Sequence, residues 1–597
     1  MSAYDSRLAA LREQLKADRL DGFVVPLTDE HMSEYVGSYA QRLAWLTGFQ
    51  GSAGSAVVLP EEAAIFTDGR YTLQVRDQVD GKHWSYQSVP ETSIASWLKE
   101  HAPEGGRIGY DPWLHTKEWV GKAREALAAR GAELVAVQRN PIDSVWSDKP
   151  EPSKAKLIVH PDKYAGKSSA AKRHEMADWL KEQKADAAVL SALDSIAWTF
   201  NVRGQDVEHT PVALSFGIVN DDGTAELFVE TEKLGEEVRQ HLGNGVRVHE
   251  RSEFEAFLGS LSGRTVIADP ERAVAAIFEA LEHAGAKVVQ KRDPSVLPRA
   301  TKNEAEIAGH RAAQARDGAA LTCFLHWLSV EAPKGGLDEL SAAAKLQQFR
   351  QECGDLRDTS FDTISGAGPN GAIVHYRVTE ETNRPIEKNS IYLVDSGGQY
   401  PDGTTDVTRT VAIGDPTAEM RDRFTRVLKG HIAIDRAIFP TGTRGSQLDT
   451  LARQYLWQAG LDYAHGTGHG VGSYLSVHEG PQRISPVGSS QSGGDEPLKA
   501  GMFLSNEPGY YKNGEYGIRV ENLILVVPLE IEGAEKEMLG FETLTFAPID
   551  RALVDVALLS GEERRWMDGY HAKVIDVVGP QLEGETLFWL QEQCQPL

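Results

Sequence analysis

Four carboxylates in the second half of the chain stand at the ends of apolar, β-prone segments. In the first pair, Asp395 ends the run that starts at Ile391, and Asp406 opens the run that continues to Val411. A turn rich in Gly, Pro and Asp separates the runs, which predicts a hairpin with both carboxylates in one pocket. Such a pair repels unless a cation or a proton intervenes. The alternative is that both are turn formers, as Asp402 is predicted to be.

The second pair of carboxylates belongs to a second predicted hairpin. Glu507 precedes a Pro-Gly dipeptide, Glu521 stands inside the apolar run from Gly517 to Val527, and Asn513-Gly514 supplies the turn. A glutamate among Ile, Val and Leu needs a partner, because burying an unpaired charge is costly. Arg519, two residues away, could pair with Glu521 or orient it. One ion pair accounts for only one of the four carboxylates.

A glycine-rich segment between the hairpins carries histidines. His465, His469 and His478 fall within fourteen positions, and glycines flank His469 on both sides. Glycine permits close backbone approach and unusual dihedral angles, which suits a ligand or substrate site. One histidine in such a segment is usually a loop residue, whereas three favour function. For His375, taken alone, a core histidine is the default interpretation.

Four carboxylates and one imidazole form a ligand set for two divalent cations. A majority of oxygen donors favours hard or borderline ions, Mn²⁺ foremost, with Zn²⁺ and Co²⁺ also compatible. In sites with two cations about 3.5–4 Å apart, a shared water loses its proton near neutral pH and attacks a carbonyl. The predicted chemistry is therefore hydrolysis of the kind that dinuclear aminopeptidases perform.

The elements that must position these residues lie between 299 and 597. A helical pattern from Ala305 to Trp327 follows Thr301-Lys-Asn-Glu304, which has the form of a capping box. Strand and turn segments rich in Gly and His extend from Ser365 to Val527. The composition of Ser485–Pro497 predicts a flexible surface loop.

The first half of the chain has a different pattern. Helix and strand patterns alternate to about residue 140, starting with a helix that contains Leu8, Leu11 and Leu15 and a strand at Phe23-Val24-Val25, which is typical of an α/β domain. A polar, Pro-containing stretch, Ser144–Ser153, follows as a predicted linker.

The opening of the chain is repeated after this linker. Leu11–Asp18 and Leu180–Asp186 are similar, and each is followed by an apolar strand and then by an Ala-Trp pair, Ala44-Trp45 or Ala197-Trp198. The shared order favours a duplicated domain. The second copy is predicted to end near Pro298.

Composition excludes several classes of protein. The 62 basic and 87 acidic residues give a formal charge of −25, which disfavours nucleic acid as a partner. No run approaches the roughly 20 apolar residues of a membrane span, and the residues from Met1 to Arg7 have no apolar signal segment. Three dispersed cysteines, Cys323, Cys353 and Cys594, argue against a disulfide framework. A cytoplasmic protein is expected.

Five motifs together resemble one family. They are Asp395…Asp406-Val-Thr-Arg, His465-Gly-Thr-Gly-His469-Gly, His478-Glu-Gly-Pro, Asn506-Glu507-Pro-Gly-Tyr-Tyr and Arg519-Val-Glu521-Asn. In these motifs the chain is similar to the pita-bread metallopeptidases, and most closely to the long, three-domain form of aminopeptidase P. The resemblance implies an α/β (α+β) chain: two creatinase-like N-terminal α/β domains, 1–150 and 151–298, and a pita-bread catalytic domain, 299–597.

The resemblance also assigns the ligands of two divalent metal ions. It implies that Asp395 holds one ion, that His469 and Glu507 hold the other, and that Asp406 and Glu521 bridge both. A hydroxide shared by the ions is the implied nucleophile, and Glu507 is the implied proton shuttle.

The remaining matches to the family concern the substrate. His375, His465 and His478 match histidines that hold the substrate and stabilise the tetrahedral intermediate, a role that needs charge stabilisation. Tyr511 and Arg519 match positions that support the metal ligands.

The implied activity is removal of the residue that precedes proline at the N-terminus of a peptide, by a homodimer formed through the catalytic domain. A prolidase, which cleaves Xaa-Pro dipeptides with the same ligands, is the first alternative. A creatinase-like amidinohydrolase or a non-catalytic peptide-binding module would share the fold without the metal ligands, and all five ligand positions are filled here.

Overall fold

The computed structural model of the chain describes residues 3–488 and 493–597. Residues 489–492 of the predicted surface loop Ser485–Pro497, and the first two residues of the chain, lie outside the described residues. The chain divides into two compact units, Met1–Val296 and Leu297–Leu597. Among the described residues, no helix has both the length and the apolar character that crossing a membrane requires.

The first unit contains two six-stranded sheets. The strands of the first sheet are β1 (Gly22–Pro26), β2 (Ser55–Val58), β3 (Ala63–Thr67), β4 (Ser85–Ser88), β5 (Arg107–Tyr110) and β6 (Glu133–Ala136). The helices around it are α1 (Ala3–Ala17), α2 (Arg42–Thr47), α3 (Gln74–Gln78), α4 (Ile94–His101), α5 (Lys117–Ala128) and α6 (Pro141–Val145).

The second sheet follows in the chain. A short pair, β7 (Ile158–Val159) and β9 (Val202–Arg203), accompanies the sheet strands β8 (Ala187–Leu190), β10 (Ser215–Asn220), β11 (Ala225–Val229), β12 (Val246–His249), β13 (Thr265–Ala268) and β14 (Lys287–Gln290). The helices are α7 (Asp162–Ala165), α8 (Ser169–Glu182), α9 (Leu193–Phe200), α10 (Glu236–Leu242), α11 (Phe254–Leu258) and α12 (Ala275–His283).

The two sheets have the same topology. Their orders are β4-β3-β2-β1-β5-β6 and β12-β11-β10-β8-β13-β14. Reading both in that direction, successive pairs are parallel, antiparallel, antiparallel, parallel and parallel. The apolar side chains that predict the first helix, Leu8, Leu11 and Leu15, are buried in the core of the first copy. The repeated sequence pattern thus corresponds to a repeated fold, while the boundaries at 150 and 298 stay predictions.

The second unit combines long helices with small antiparallel sheets. Its helices are α13 (Val296–Ala300, at the boundary), α14 (Glu304–Glu331), α15 (Glu339–Glu352), α16 (Ala418–Asp435), α17 (Gly445–Trp457), α18 (Gly561–Val578) and α19 (Gly584–Gln593). Its strands are β15 (Asp358–Thr359), β16 (Ile364–Ala367), β17 (Ser390–Ser396), β18 (Gly398–Tyr400), β19 (Gly403–Thr404), β20 (Val407–Ile413), β21 (Phe439–Pro440), β22 (Gly468–Gly470), β23 (Glu479–Ile484), β24 (Phe503–Asn506), β25 (Gly509–Lys512), β26 (Tyr516–Arg519), β27 (Asn522–Leu529) and β28 (Met538–Thr543).

The start of α14 corrects the predicted helix cap. The capping residue is Asn303, whose Oδ1 accepts from the N–H groups of Ala305 and Glu306. The Asn303 N–H donates in turn to the Glu306 carboxylate. Thr301 pairs instead with Met502 in an isolated β-bridge. The predicted box therefore starts too early, because Thr301 is held in an extended conformation by a distant segment.

Two antiparallel sheets position the four predicted carboxylate ligands. One is the sheet β16-β17-β20, and the other is the sheet β21-β28-β27-β24. His469 lies on β22, which pairs with β23. Helices α16 and α18 share an apolar cluster, to which they contribute Phe424, Val427, Met567 and Val574. The cluster also contains Val520, the neighbour of Glu521 in the sequence. The carboxylate-bearing strand ends therefore rest on a rigid, buried core. This mixed α/β architecture agrees with the predicted fold class.

Candidate metal centre

The first carboxylate pair lies at the ends of β17 and β20. Asp395 is the penultimate residue of β17 and is paired with Thr408, two residues after Asp406. Both aspartates are buried, at 7% and 4% exposure. Asp402 lies in the connecting turn, as predicted, and accepts a hydrogen bond from Arg316. The predicted hairpin is therefore correct, and neither Asp395 nor Asp406 is a turn former.

The second pair requires one correction. Glu507 directly follows β24 and Glu521 directly precedes β27, and these strands pair Asn506 with Asn522. Glu521 therefore does not lie inside an apolar strand, but in the break between β26 and β27. Its N–H donates to the carbonyl oxygen of Thr408 at 3.2 Å. The break exists because the chain changes partner there, from β25 to β24, and this brings Glu521 beside β20.

The side chains of three predicted ligands converge. Ligand atoms of Asp406, His469 and Glu521 lie within 4.8 Å of one another, and all three residues are buried. His469 Nε2 lies 3.4 Å from Asp406 Oδ2 and 3.5 Å from Glu507 Oε1. These separations exceed the roughly 2.7–3.2 Å of ordinary N–H···O hydrogen bonds. The atoms are close enough to share a cation and are not tightly bonded to each other.

The imidazole of His469 is oriented by its own backbone. Nδ1 faces the Gly470 carbonyl oxygen at 2.9 Å, and because a carbonyl only accepts, Nδ1 carries the proton. In the neutral ring, Nε2 then carries the lone pair and faces the carboxylates, which is the arrangement that metal-binding histidines adopt. Ser505 Oγ accepts from the His469 N–H at 3.0 Å and donates to Glu507 Oε1 at 3.2 Å. Ser505 thus ties two predicted ligands together.

The carboxylates are electrostatically unsatisfied. Burial, followed by the charge of Asp395, raises the pKa of Asp406 well above its usual range. Burial and then the charge of Asp406 raise the pKa of Glu521 in the same way, and burial raises the pKa of Glu507 to about 7. Among the described residues, no hydrogen-bond donor reaches Asp395 Oδ1, although the atom is buried.

This imbalance is the test of whether the residues fit metal ions. Buried acceptors in folded proteins are almost always satisfied, and clustered buried carboxylates are stable only with protons or cations. An orphaned carboxylate oxygen, three further acidic groups and an imidazole lone pair form the donor set that divalent cations take. The residues present therefore fit a metal centre.

Arg519 supports the first ligand. Its guanidinium donates to Asp395 Oδ2 at 2.5 Å, to Tyr511 OH at 2.6 Å and to Thr408 Oγ1 at 3.1 Å. Thr408 Oγ1 in turn donates to Glu521 Oε2 at 2.7 Å. The predicted link between Arg519 and Glu521 is therefore made through Thr408.

The remaining predicted residues lie around this centre. The rings of His469 and His478 are 4.3 Å apart and nearly perpendicular, and the ring of His375 is 6.4 Å from that of His478. Tyr511 OH lies 2.9 Å from His465 Nε2. Of the four predicted histidines, His469 therefore lies at the carboxylate cluster and His478 lies beside it. His375 lies beyond His478, and His465 lies against Tyr511.

Sequence reasoning assigned no role to Thr408 and Ser505. Thr408 is in phase with Asp406 along its strand, and this alternation was the available signal for a side chain on the ligand face. Ser505 offered the same signal, since it stands two residues before Glu507, whereas its bond to the His469 N–H joins segments that are distant in the sequence.

Comparisons with known proteins agree with this arrangement. Residues 308–528 match the family model of metallopeptidase family M24, and residues 537–597 match the C-terminal region of that peptidase. Residues 7–144 and 148–306 each match a creatinase/prolidase N-terminal domain.

Relatives that match almost the whole chain are aminopeptidases. The chain is 42% identical over 607 residues to a probable Xaa-Pro aminopeptidase P of Laccaria bicolor, covering 99% of this chain and 93% of that protein. It is also 42% identical over 610 residues to a probable Xaa-Pro aminopeptidase P of Aspergillus flavus, covering 99% and 92%. A solved structure, the X-prolyl aminopeptidase of Caenorhabditis elegans, described as a cytosolic enzyme with a di-nuclear active site, superposes over 100% of both chains with a TM-score of 0.94 and 36% identity.

Proposed function

Since the chain belongs to the aminopeptidase P group of metallopeptidase family M24, we propose that it removes the N-terminal residue from peptides whose second residue is proline. The observation that carries the chemistry is the convergence of Asp406, His469 and Glu521 within 4.8 Å, beside the orphaned oxygen of Asp395. The preference for proline comes from the relatives of matching length.

Five residues would hold two divalent metal ions. Asp395 would hold one, His469 and Glu507 the other, and Asp406 and Glu521 would lie between them. When bound, two such ions activate a water molecule and polarise the carbonyl of the scissile peptide bond. We propose Mn²⁺ as the ion, because oxygen donors predominate.

Glu507 is proposed to move the proton. Burial raises the pKa of its carboxyl to about 7, so that the group can accept and release a proton near neutral pH. Its Oε1 is oriented by the Ser505 hydroxyl, and its backbone is fixed by a hydrogen bond from its N–H to the Thr467 carbonyl. The proton carrier is therefore held in place by groups that do not titrate in this range.

The histidines are proposed to hold the peptide. The ring of His478 lies 4.3 Å from that of His469, and the ring of His375 follows at 6.4 Å from His478. An imidazole N–H in this position can bond the carbonyl oxygen as its negative charge develops. Arg519 donates to Tyr511, and Tyr511 faces His465 Nε2. His465 Nδ1 faces the Gly466 carbonyl oxygen, so Nδ1 carries the proton and Nε2 accepts from Tyr511. These hydrogen bonds fix the orientation of the His465 ring next to Tyr511.

The choice between an aminopeptidase and a prolidase is tested by substrate length. We expect the Mn²⁺-loaded protein to release arginine from Arg-Pro-Pro, while Gly-Pro is hydrolysed at least about 100-fold more slowly, a difference of about 2.7 kcal/mol in activation free energy. The products are separated and identified by mass spectrometry. A tripeptide that lacks proline at the second position, such as Arg-Ala-Pro, is the control.

Faster hydrolysis of Gly-Pro than of Arg-Pro-Pro would favour the prolidase. Saturable binding of Arg-Pro-Pro without cleavage by the metal-loaded protein would favour a peptide-binding module.

The cellular location and the oligomeric state are proposed from the similarity to related proteins. The Caenorhabditis elegans enzyme is described as cytosolic, and a cytosolic location is proposed for this chain. A homodimer through residues 299–597 stays a prediction, and sedimentation equilibrium at several protein concentrations would give the mass of one chain or of two.

A further inference from the structure

A buried arginine on α17 connects this helix to the segment that carries His465. Arg453 lies one helical turn after Asp449, and the two side chains are each 4% exposed. Arg453 Nε donates to Asp449 Oδ2 at 2.6 Å, and Nη2 donates to Asp449 Oδ1 at 3.2 Å. Such forked pairs fix both orientation and distance, because two parallel bonds hold the planar guanidinium.

The remaining donors of Arg453 bond the segment that follows α17. Nη1 donates to Asp462 Oδ1 at 2.9 Å and to the Tyr463 carbonyl oxygen at 2.7 Å, and Nη2 donates to the His465 carbonyl oxygen at 2.6 Å. A guanidinium has five N–H donors, and these five bonds use all of them. The cation also lies 3.9 Å from the centre of the Tyr463 ring. The backbone at His465 is therefore attached to a rigid helix.

Asp449 extends the same connection to Glu507. Thr467 Oγ1 donates to Asp449 Oδ1 at 2.7 Å, and Tyr463 OH lies 2.5 Å from Thr467 Oγ1. Because the single hydroxyl proton of Thr467 goes to the carboxylate, Tyr463 is the donor in the second bond. The Thr467 carbonyl oxygen accepts from the Glu507 N–H at 2.8 Å. The Arg453–Asp449 ion pair thus anchors the His465 backbone directly and, through Thr467, the backbone of Glu507.

We propose that Arg453, paired with Asp449, is a positioning residue that acts mainly by setting the place of His465, and that its connection to Glu507 through Asp449 and Thr467 is secondary. It bonds the His465 carbonyl oxygen directly and reaches Glu507 through Asp449 and Thr467. Among the described residues, no hydrogen bond or ion pair joins it to the four predicted carboxylate ligands. The inference rests on the proposed function only in that it takes His465 as a residue that holds the substrate. A lysine at 453 keeps the charge, but a compact ammonium with three donors cannot reproduce five bonds in one plane.

Arg453→Lys is expected to lower kcat/KM for Arg-Pro-Pro by about 100-fold, the effect of misplacing a catalytic-site group by about 1 Å. His465→Ala and the double variant complete a cycle. Since Arg453 is proposed to act mainly through His465, the double variant is expected to be no worse than His465→Ala beyond about twofold. Multiplied effects of the two changes would overturn the proposal, because they are the result expected of independent sites.

A measurement without activity separates this inference from the proposed function. In the metal-free protein, amide hydrogen exchange of the segment 462–467 is expected to be at least about tenfold faster in Arg453→Lys than in the unchanged protein. Arg350→Lys is the matched control, because Arg350 makes a buried forked pair with Asp317 elsewhere in the unit. It is expected to leave exchange in 462–467 unchanged.

If amide exchange in 462–467 is as slow in Arg453→Lys as in the protein without substitutions, the proposal is overturned, even if the latter protein cleaves Arg-Pro-Pro. An unchanged protein that fails to cleave Arg-Pro-Pro overturns the proposed function, while the exchange measurement still decides the anchoring role. If Arg453→Lys does not fold, the isosteric Asp449→Asn replaces it. The same acceleration of exchange and the same non-additivity with His465→Ala are expected.

Discussion

Asp406→Asn is expected to abolish peptide hydrolysis while leaving the metal-free protein at least as stable as before. Changing a group that only supports a metal ligand costs about 10–100-fold in affinity or activity, so loss of a carboxylate that is proposed to hold both ions should cost more than about 100-fold in kcat/KM. The fold should tolerate the change because burial and Asp395 already raise the pKa of Asp406 well above its usual range. A neutral amide of the same shape removes that repulsion.

The measurements are kcat/KM with Arg-Pro-Pro and the melting temperature after chelation. Asp402→Asn is the control, because Asp402 lies in the turn between β18 and β19 and pairs with Arg316. It is expected to retain activity within about twofold, because its partly buried carboxylate pairs with Arg316 and not with the carboxylate cluster. Near-normal turnover by Asp406→Asn would contradict the assignment of Asp406 as a metal ligand.

Arg519→Met is expected to have the opposite effect on stability and an equally severe effect on activity. The Arg519 guanidinium is 1% exposed and holds Asp395, Tyr511 and Thr408. Removing one partner of a buried ion pair costs about 3–5 kcal/mol, because the other charge is left uncompensated. The metal-free variant should therefore melt at a lower temperature than the unchanged protein.

Added Mn²⁺ should recover part of the lost stability, since cations that bind only the folded state stabilise it by mass action. Arg350→Met is the control, because it removes a comparable buried pair with Asp317. It is expected to lower the melting temperature similarly while the folded protein keeps measurable activity. An Arg519→Met variant that melts like the unchanged protein would contradict the role of Arg519 as the counter-charge of the cluster.

The candidate ligands could be singled out from the sequence because their signals are local. An apolar run that ends in Asp395, or a histidine between two glycines such as His469, departs from ordinary strand and loop composition. The turn at Asn513-Gly514 also indicated which strands pair, and the structure has that hairpin between β25 and β26. Strand alternation and turn chemistry act over a few residues, so one sequence is enough to reveal them.

The errors concern features that distant segments decide. Glu521 lies in a strand break because its N–H bonds Thr408, and no residue near 521 signals that partner. Thr301 and Asn303 both have cap-forming side chains, and the bridge from Thr301 to Met502 decides between them. The bonds of Arg453 had no signal for another reason: they join the helix to carbonyl oxygens of the loop that follows it, and backbone acceptors leave no mark on residue type.

The central claim, that this site performs two-metal hydrolysis, is tested most directly by titrating the chelated protein with Mn²⁺. Bound metal per chain is measured by elemental analysis, and release of arginine from Arg-Pro-Pro is measured on the same samples. We expect no activity in the chelated protein and full activity only when two ions are bound per chain. Full activity without bound metal, or two bound ions in a protein that releases no arginine, would contradict the account.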